Sequence, residues 1–131
     1  MKKTFIIILT SVFCLFTFNS SAHHSLAVEF DATTLVTVEG VVNEVWFKNP
    51  HVRYYLTVTD DSGNEVNWDT HAHSIVGMSR QGYNKNSVKV GDRIILEGHG
   101  TRKGSPKLFI RAWTLADGVR RAVGNSNIDN F

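Results

Sequence analysis

The chain lacks most of what a small domain uses for covalent reinforcement or covalent chemistry. Its one cysteine, Cys14, lies inside an apolar run near the amino terminus, so residues 23–131 hold no thiol. That excludes a disulfide, a thiolate nucleophile and a thiolate metal site from everything downstream. Gly-x-Ser-x-Gly, a phosphate-cradling glycine loop and His-Glu-x-x-His are all missing, which removes the hydrolase, nucleotide-binding and metalloprotease chemistries built on them. No internal repeat or low-complexity tract is present, and no apolar run follows the first.

That first run is informative. Met1-Lys2-Lys3 is a basic start, Thr4 to Phe18 is almost unbroken apolar sequence, and Asn19-Ser20-Ser21-Ala22 ends in small residues. The layout is that of a secretory signal peptide over residues 1–22, and the apolar stretch is too short to span a bilayer comfortably. Phe13 occupies the place before Cys14 where a lipoprotein signal carries a small residue. The expectation is an unlipidated product, cleaved after Ala22, secreted or periplasmic, with no membrane span after cleavage. Its new amino terminus is His23-His24.

Charge is unevenly distributed. Residues 23–79 contain two basic and eight acidic side chains, whereas residues 80–131 contain ten basic and four acidic ones. Two readings stand: the halves attract each other in the fold, or the acidic part forms a cation-attracting patch around the five histidines it contains.

Period-two alternation dominates the remaining sequence. Leu35 to Lys48 reads as a long strand with Gly40 at a bulge or bend, and Asn49-Pro50 breaks it. Val52 to Thr59 alternates cleanly, and Asp60 to Asn64 is a turn into a third strand, Glu65 to Thr70. Ser74 to Gln81 is the one helix, with Ser74 as N-cap and Gly82 as stop. Arg93 to Glu97 and Lys107 to Leu115 are further strands, separated by a glycine-rich loop from Gly98 to Pro106. The expected class is all-β, a small OB-fold-like five-stranded barrel with one short helix between strands 3 and 4; a five-strand sandwich is the alternative. The barrel is expected over residues 23–118 and a polar tail over 119–131. Val45, Tyr54, Leu56, Val58, Trp68, Ile94, Leu96, Leu108 and Ile110 are the expected core.

The histidines are the candidate chemistry. A free amine beside His23, with His24, can chelate copper(II); equally, two polar residues after a signal junction can simply be solvated. His51 stands at the Asn49-Pro50-His51 corner, either as a hydrogen-bonded structural group or as a ligand at the barrel rim, with Asn49 free to form an Asx turn. His71 and His73 flank Ala72 and, with Asp69, share one face if the backbone stays extended. Two imidazoles and a carboxylate so placed suit zinc, copper or iron, although loop histidines before a helix are also commonplace. His99 falls in the predicted loop between strands four and five.

The possible outward face of strands two and three carries Arg53, Tyr55, Thr57, Asn67 and Asp69. It lacks the aromatic ladder and basic groove of a single-strand nucleic-acid binder, so nucleic acid is not expected as a partner.

His23-His24-Ser25, Glu29-Phe30-Asp31, Gly40, Trp46, Asn49-Pro50-His51, Val90-Gly91-Asp92 and Gly104-Ser105 together resemble a family of small secreted bacterial proteins, domain of unknown function 6152. The likeness runs from His23 to about Gly118. It implies an exported protein, in the periplasm of a Gram-negative bacterium, and implies no particular activity or ligand.

The expected function is therefore an exported, non-enzymatic binding module holding a transition metal, copper first, through some of His23, His24, His51, His71 and His73. The rival is a periplasmic protein-interaction or envelope-associated domain with structural histidines, its partner a protein or small ligand. A small hydrolase or redox enzyme with an open metal site is the third reading.

Overall fold

The computed structural model describes residues 23–124, and for His23 to Ser25 only the backbone. The signal-peptide expectation therefore lies outside the described residues. The elements run α1 (His23–Glu29), β1 (Phe30–Trp46), β2 (Arg53–Thr59), β3 (Glu65–His71), α2 (Ile75–Arg80), β4 (Arg93–Thr101), β5 (Lys107–Thr114) and β6 (Arg120–Ala122). No helix among them is long and apolar enough to cross a membrane.

The strand order is β3-β2-β1-β4-β5-β6. A parallel pairing of Asp69–His71 on β3 with Lys107–Phe109 on β5 closes five of these strands into a barrel. With α2 between β3 and β4, this is the expected OB-fold-like architecture. Strand β1 makes closure possible, because its Leu35–Val41 half pairs with β4 and its Val41–Trp46 half with β2.

Gly40 sits where β1 changes partner, but the bulge expected there falls between Val42 and Glu44. The glycine answers a different need. A Cβ at Gly40 would stand 2.7 Å from the Thr57 carbonyl oxygen, so it permits close approach of β1 and β2.

Tyr54, Leu56, Ile94, Leu96, Leu108 and Ile110 are fully buried, while Val45, Val58 and Trp68 pack on the core's margin. Trp113, the largest fully buried side chain, was absent from the expected core. The pairing of β4 with β5 skips Arg111. This bulge reverses the alternation, so that Trp113 follows Leu108 and Ile110 inward. Tyr54 and Tyr83 meet its ring edge-on, at centroid distances of 5.7 and 4.6 Å.

Three expectations about element limits are corrected. Strand β4 runs through Thr101 rather than ending at Glu97, so the loop before β5 is shorter and His99 lies on a strand. The segment after Gly118, read as tail from its polarity, contributes β6 against β5. Val123 follows it into the core, donating its amide to the Arg111 carbonyl at 2.8 Å. The third correction is α1, which precedes β1 and was not expected at all.

Helix α2 matches its expected caps, with Ser74 Oγ accepting the Gly77 amide at 3.2 Å and Gly82 leaving at φ +83°. A second cap comes from a distance. Asn49 Oδ1 accepts the Ile75 amide at 3.1 Å, rather than forming the Asx turn expected of it. The Asn49–Pro50 peptide is cis.

Candidate binding face

Two surfaces carry the residues singled out by sequence. The first is the β3–β5 seam, where His71 and His73 lie. Phe30 folds over this seam from outside the barrel and is fully buried there. Its ring centroid stands 5.4 Å from that of His71 and 5.8 Å from that of Phe109, and Phe109 in turn stands 5.3 Å from His73. The seam is thus an aromatic cluster covered by the amino-terminal segment. Lys107 Nζ donates to Glu29 Oε1 at 2.6 Å, and the Arg102 guanidinium donates to the Ala27 carbonyl at 3.2 Å, fixing the end of α1 in place.

His71 Nε2 lies 3.2 Å from Asp69 Oδ1, an ion-pair distance at an angle that misses hydrogen-bond alignment. Asp69 is gripped on its other side by Arg53, whose Nε donates to Oδ1 at 2.9 Å while Nη2 donates to Oδ2. Burial alone would raise the Asp69 carboxyl, but the adjacent His71 and Arg53 outweigh it and hold the pKa at about 2. His73 goes the other way for an imidazole. Burial pushes its pKa down, and the charges of Arg111 and His51 add to the effect. Its Nε2 is buried without a hydrogen-bond partner and faces Gly124 so closely that a Cβ there would stand 2.0 Å away.

The expected Asp69–His71–His73 ligand set is therefore only partly brought together. Asp69 and His71 touch, whereas His73 packs against Phe109 and Gly124. His51 sits beside His73, since Val52 donates its amide to the His73 carbonyl at 3.0 Å. Among the described residues, no group of three or more histidine, aspartate or glutamate side chains is placed to hold a metal ion. His23 and His24 belong to α1 by backbone, and their side chains lie outside the described residues. His99 Nδ1 lies 3.1 Å from the Thr34 carbonyl, a bond between adjoining strands.

The second surface is the outward face of β1, β2 and β3, where cross-strand partners share a side. Successive rows across it are Trp46–Arg53–His71, Glu44–Tyr55–Asp69 and Val41–Thr57–Asn67. Asn43, at the β1 bulge, joins the last row. Asn43 Nδ2 donates to Thr57 Oγ1 at 3.0 Å and to Asn67 Oδ1 at 3.3 Å, and Thr57 Oγ1 donates to the same Asn67 oxygen at 3.3 Å. Trp46 is 40% exposed, a large value for tryptophan, with Lys48 Nζ 4.0 Å from its ring centroid. Beyond Thr57 the face dips into a shallow groove of about 170 Å³ between Glu39, Val41, Thr59 and Arg93. Thr57, Asn67, Tyr55 and Arg53 were legible as an outward set. Asn43 and Trp46 were not, because they lie on opposite sides by period two, and only the bulge between Val42 and Glu44 brings both outward.

A small single-stranded DNA-binding protein from Streptomyces coelicolor is similar in structure, with 22% sequence identity and a TM-score of 0.43. The match covers 61% of this chain and 88% of that one. No curated protein matches the chain. A family model does match, over residues 12–108, and its description is "Family of unknown function". With most of the sequence inside that match, the chain belongs to the domain of unknown function 6152 family (DUF6152).

Proposed function

We propose that the protein is an exported, non-enzymatic binding module whose recognition surface is the outward face of β1, β2 and β3. One observation carries this reading: the Asn43–Thr57–Asn67 side chains are locked together on an exposed sheet face. Exposed amides ordinarily lose side-chain entropy when a ligand arrives, and groups already holding one another lose less. In OB-fold proteins the face of the second and third strands is also the usual ligand platform.

On this reading His51, His71 and His73 are structural. They pack on the aromatic seam and the loop before β2, and their role is to seat the amino-terminal segment and the β6 end. Export follows from the basic start, the apolar run and the Ser-Ser-Ala junction. Copper coordination narrows to the amino terminus, through the His23 amine and the His23 and His24 imidazoles. Nucleic acid is disfavoured as a partner, because the cations of the face are engaged with neighbouring side chains.

The test is site-specific photo-crosslinking in cells that export the protein. A photoreactive phenylalanine replaces Tyr55 on the face or Lys85 in the loop after α2. Adducts from position 55 and none from position 85 are the expected result. Adducts from 85 alone would place recognition elsewhere.

A further inference from the structure

The charge arrangement on the β1–β2–β3 face limits what it can hold. At one end Arg53 is engaged by Asp69, and at the other Arg93 Nη1 donates to Glu39 Oε1 at 3.1 Å. Lys48 lies over the Trp46 ring. Burial first, then Asp69, raises the pKa of the Tyr55 hydroxyl against the opposing Arg53, and Glu44 opposite it adds a further negative charge. A polyanion gains affinity by displacing counterions with unengaged lysines and arginines. This face offers engaged ones and a carboxylate.

Its centre offers something else. Both hydrogens of the Asn43 amide nitrogen are directed at neighbours, and Thr57 Oγ1 both donates and accepts within the triad. The triad leaves Asn43 Oδ1 as an acceptor and Asn67 Nδ2 as a donor of two hydrogens, on neighbouring exposed residues whose amides are fixed by these bonds. Paired hydroxyls on a pyranose ring, each able to donate and accept, match such a set. Trp46, at the end of the same face, is 40% exposed even with Lys48 over its ring, and supplies aromatic surface for the apolar side of a ring. From Arg53, opposite Trp46, to Thr59 at the groove, the face is about 20 Å long at roughly 3.3 Å per residue.

We infer that this face binds a neutral oligosaccharide, lying from Trp46 across the Asn43–Thr57–Asn67 triad toward the groove beside Val41. The inference rests on the reading of this face as the recognition surface, and adds the chemical class of the ligand. Binding is independent of ionic strength to first order, since no charge pair forms with the ligand.

The experiment is a titration of the 15N-labelled chain lacking residues 1–22, observed by two-dimensional NMR. The probes are cellohexaose, chitohexaose and a twelve-residue oligothymidylate. The Trp46 indole N–H and the Asn43 and Asn67 side-chain amides are direct reporters. A saturable shift of these signals with a neutral hexasaccharide is expected, weakened at least tenfold in Asn67→Ala and in Trp46→Ala but not in Asn84→Ala. All three positions are exposed, and an unchanged melting temperature shows that the variants are folded. Shifts of the same reporters by the oligothymidylate alone would overturn the ligand class while keeping the face. Silence of the reporters toward both hexasaccharides would also overturn the class, and the crosslinks from position 55 then decide the face separately. Saturable shifts confined to other parts of the barrel would overturn both.

Discussion

Replacing Phe30 with alanine separates a barrel that merely carries an amino-terminal extension from one that needs it. Phe30 is fully buried, yet it lies outside the barrel, pressed between His71 and Phe109. Truncating a buried phenylalanine costs about 3–5 kcal/mol when the site cannot collapse. Here the segment has an escape, because α1 and the start of β1 can detach instead of enclosing a void. Detachment would also give up the Lys107–Glu29 pair and the Arg102 bonds to Ala27, which are surface contacts of about 1 kcal/mol or less apiece. The expected loss is therefore about 3 kcal/mol, and for a domain of this size each kcal/mol lowers Tm by roughly 4–8 °C. Urea unfolding followed by tryptophan fluorescence measures it, with buried Trp113 reporting on the barrel. Hydrogen exchange should show the His71 and Phe109 amides losing protection ahead of those in β2. Phe30→Leu, which keeps most of the volume, should lose about 1 kcal/mol. A loss below about 1 kcal/mol for Phe30→Ala would refute the claim that the segment belongs to the cooperative unit.

Asn49→Ala removes a cap supplied from another part of the chain and should cost about 1 kcal/mol; a cost no greater than that of Asn64→Ala in the β2–β3 turn would argue that Ser74 caps α2 alone. The histidine at 73 is held neutral, with its pKa depressed by burial, then by Arg111 and His51. The unfolded chain therefore binds the proton first, so stability should fall as pH drops below the ordinary histidine value near 6.5, and His73→Leu should flatten that limb of the urea midpoint–pH curve. Asp69, held at about 2, contributes stability that is fully present above the usual carboxylate pKa and is lost as pH falls from there toward 2. An unchanged slope in His73→Leu between pH 7.5 and 5 would refute the first of these assignments. Copper(II) should bind the processed chain through the His23 amine, so a titration beside His23→Ala and an amino-terminally extended form should show weakening in both, and equal affinity in all three would remove the terminus from the site.

Local pattern carried the sequence reading where neighbours in space are neighbours in sequence. The hairpin of β2 and β3 and the caps of α2 follow from alternation, a turn of Asp, Ser, Gly and Asn, and a serine and glycine at the helix ends. What escaped is non-local. Strand β6 is three residues of polar sequence, and only its pairing with Ala112–Thr114 and the burial of Val123 make it part of the fold. The far end of β4 reads as a glycine-rich loop because Gly98 and Gly100 have no side chain to alternate. In the fold, a Cβ on Gly98 would stand 2.0 Å from the Phe109 carbonyl oxygen, so the strand passes where only glycine fits. The histidines show the same limit from the other side. Spacing placed Asp69 and His71 together, but it does not reveal that Phe30, some forty residues earlier, covers the surface they share.

Asn43 joins the two lessons. By period two it shares a side with Val41, which faces outward, but also with Val45, whose Tyr54 partner is fully buried, so an unbroken strand could not keep Asn43 outward and Val45 inward together. A buried amide without partners costs about 1–3 kcal/mol by mutational measures. The register shift between Val42 and Glu44 removes that conflict, since Val42 and Val45 both face the core while the extra residue turns out. The same bulge brings the Asn43 amide within reach of Thr57 and Asn67. Deleting Asn43 would thus restore regular pairing and erase the triad together, whereas Asn43→Ala would keep the bulge and remove only the bonds. A bulge that served packing alone would place no demand on this side chain. On the inference drawn for this face, the bulge is what makes an amide available there, and the strand's irregularity belongs to its binding chemistry.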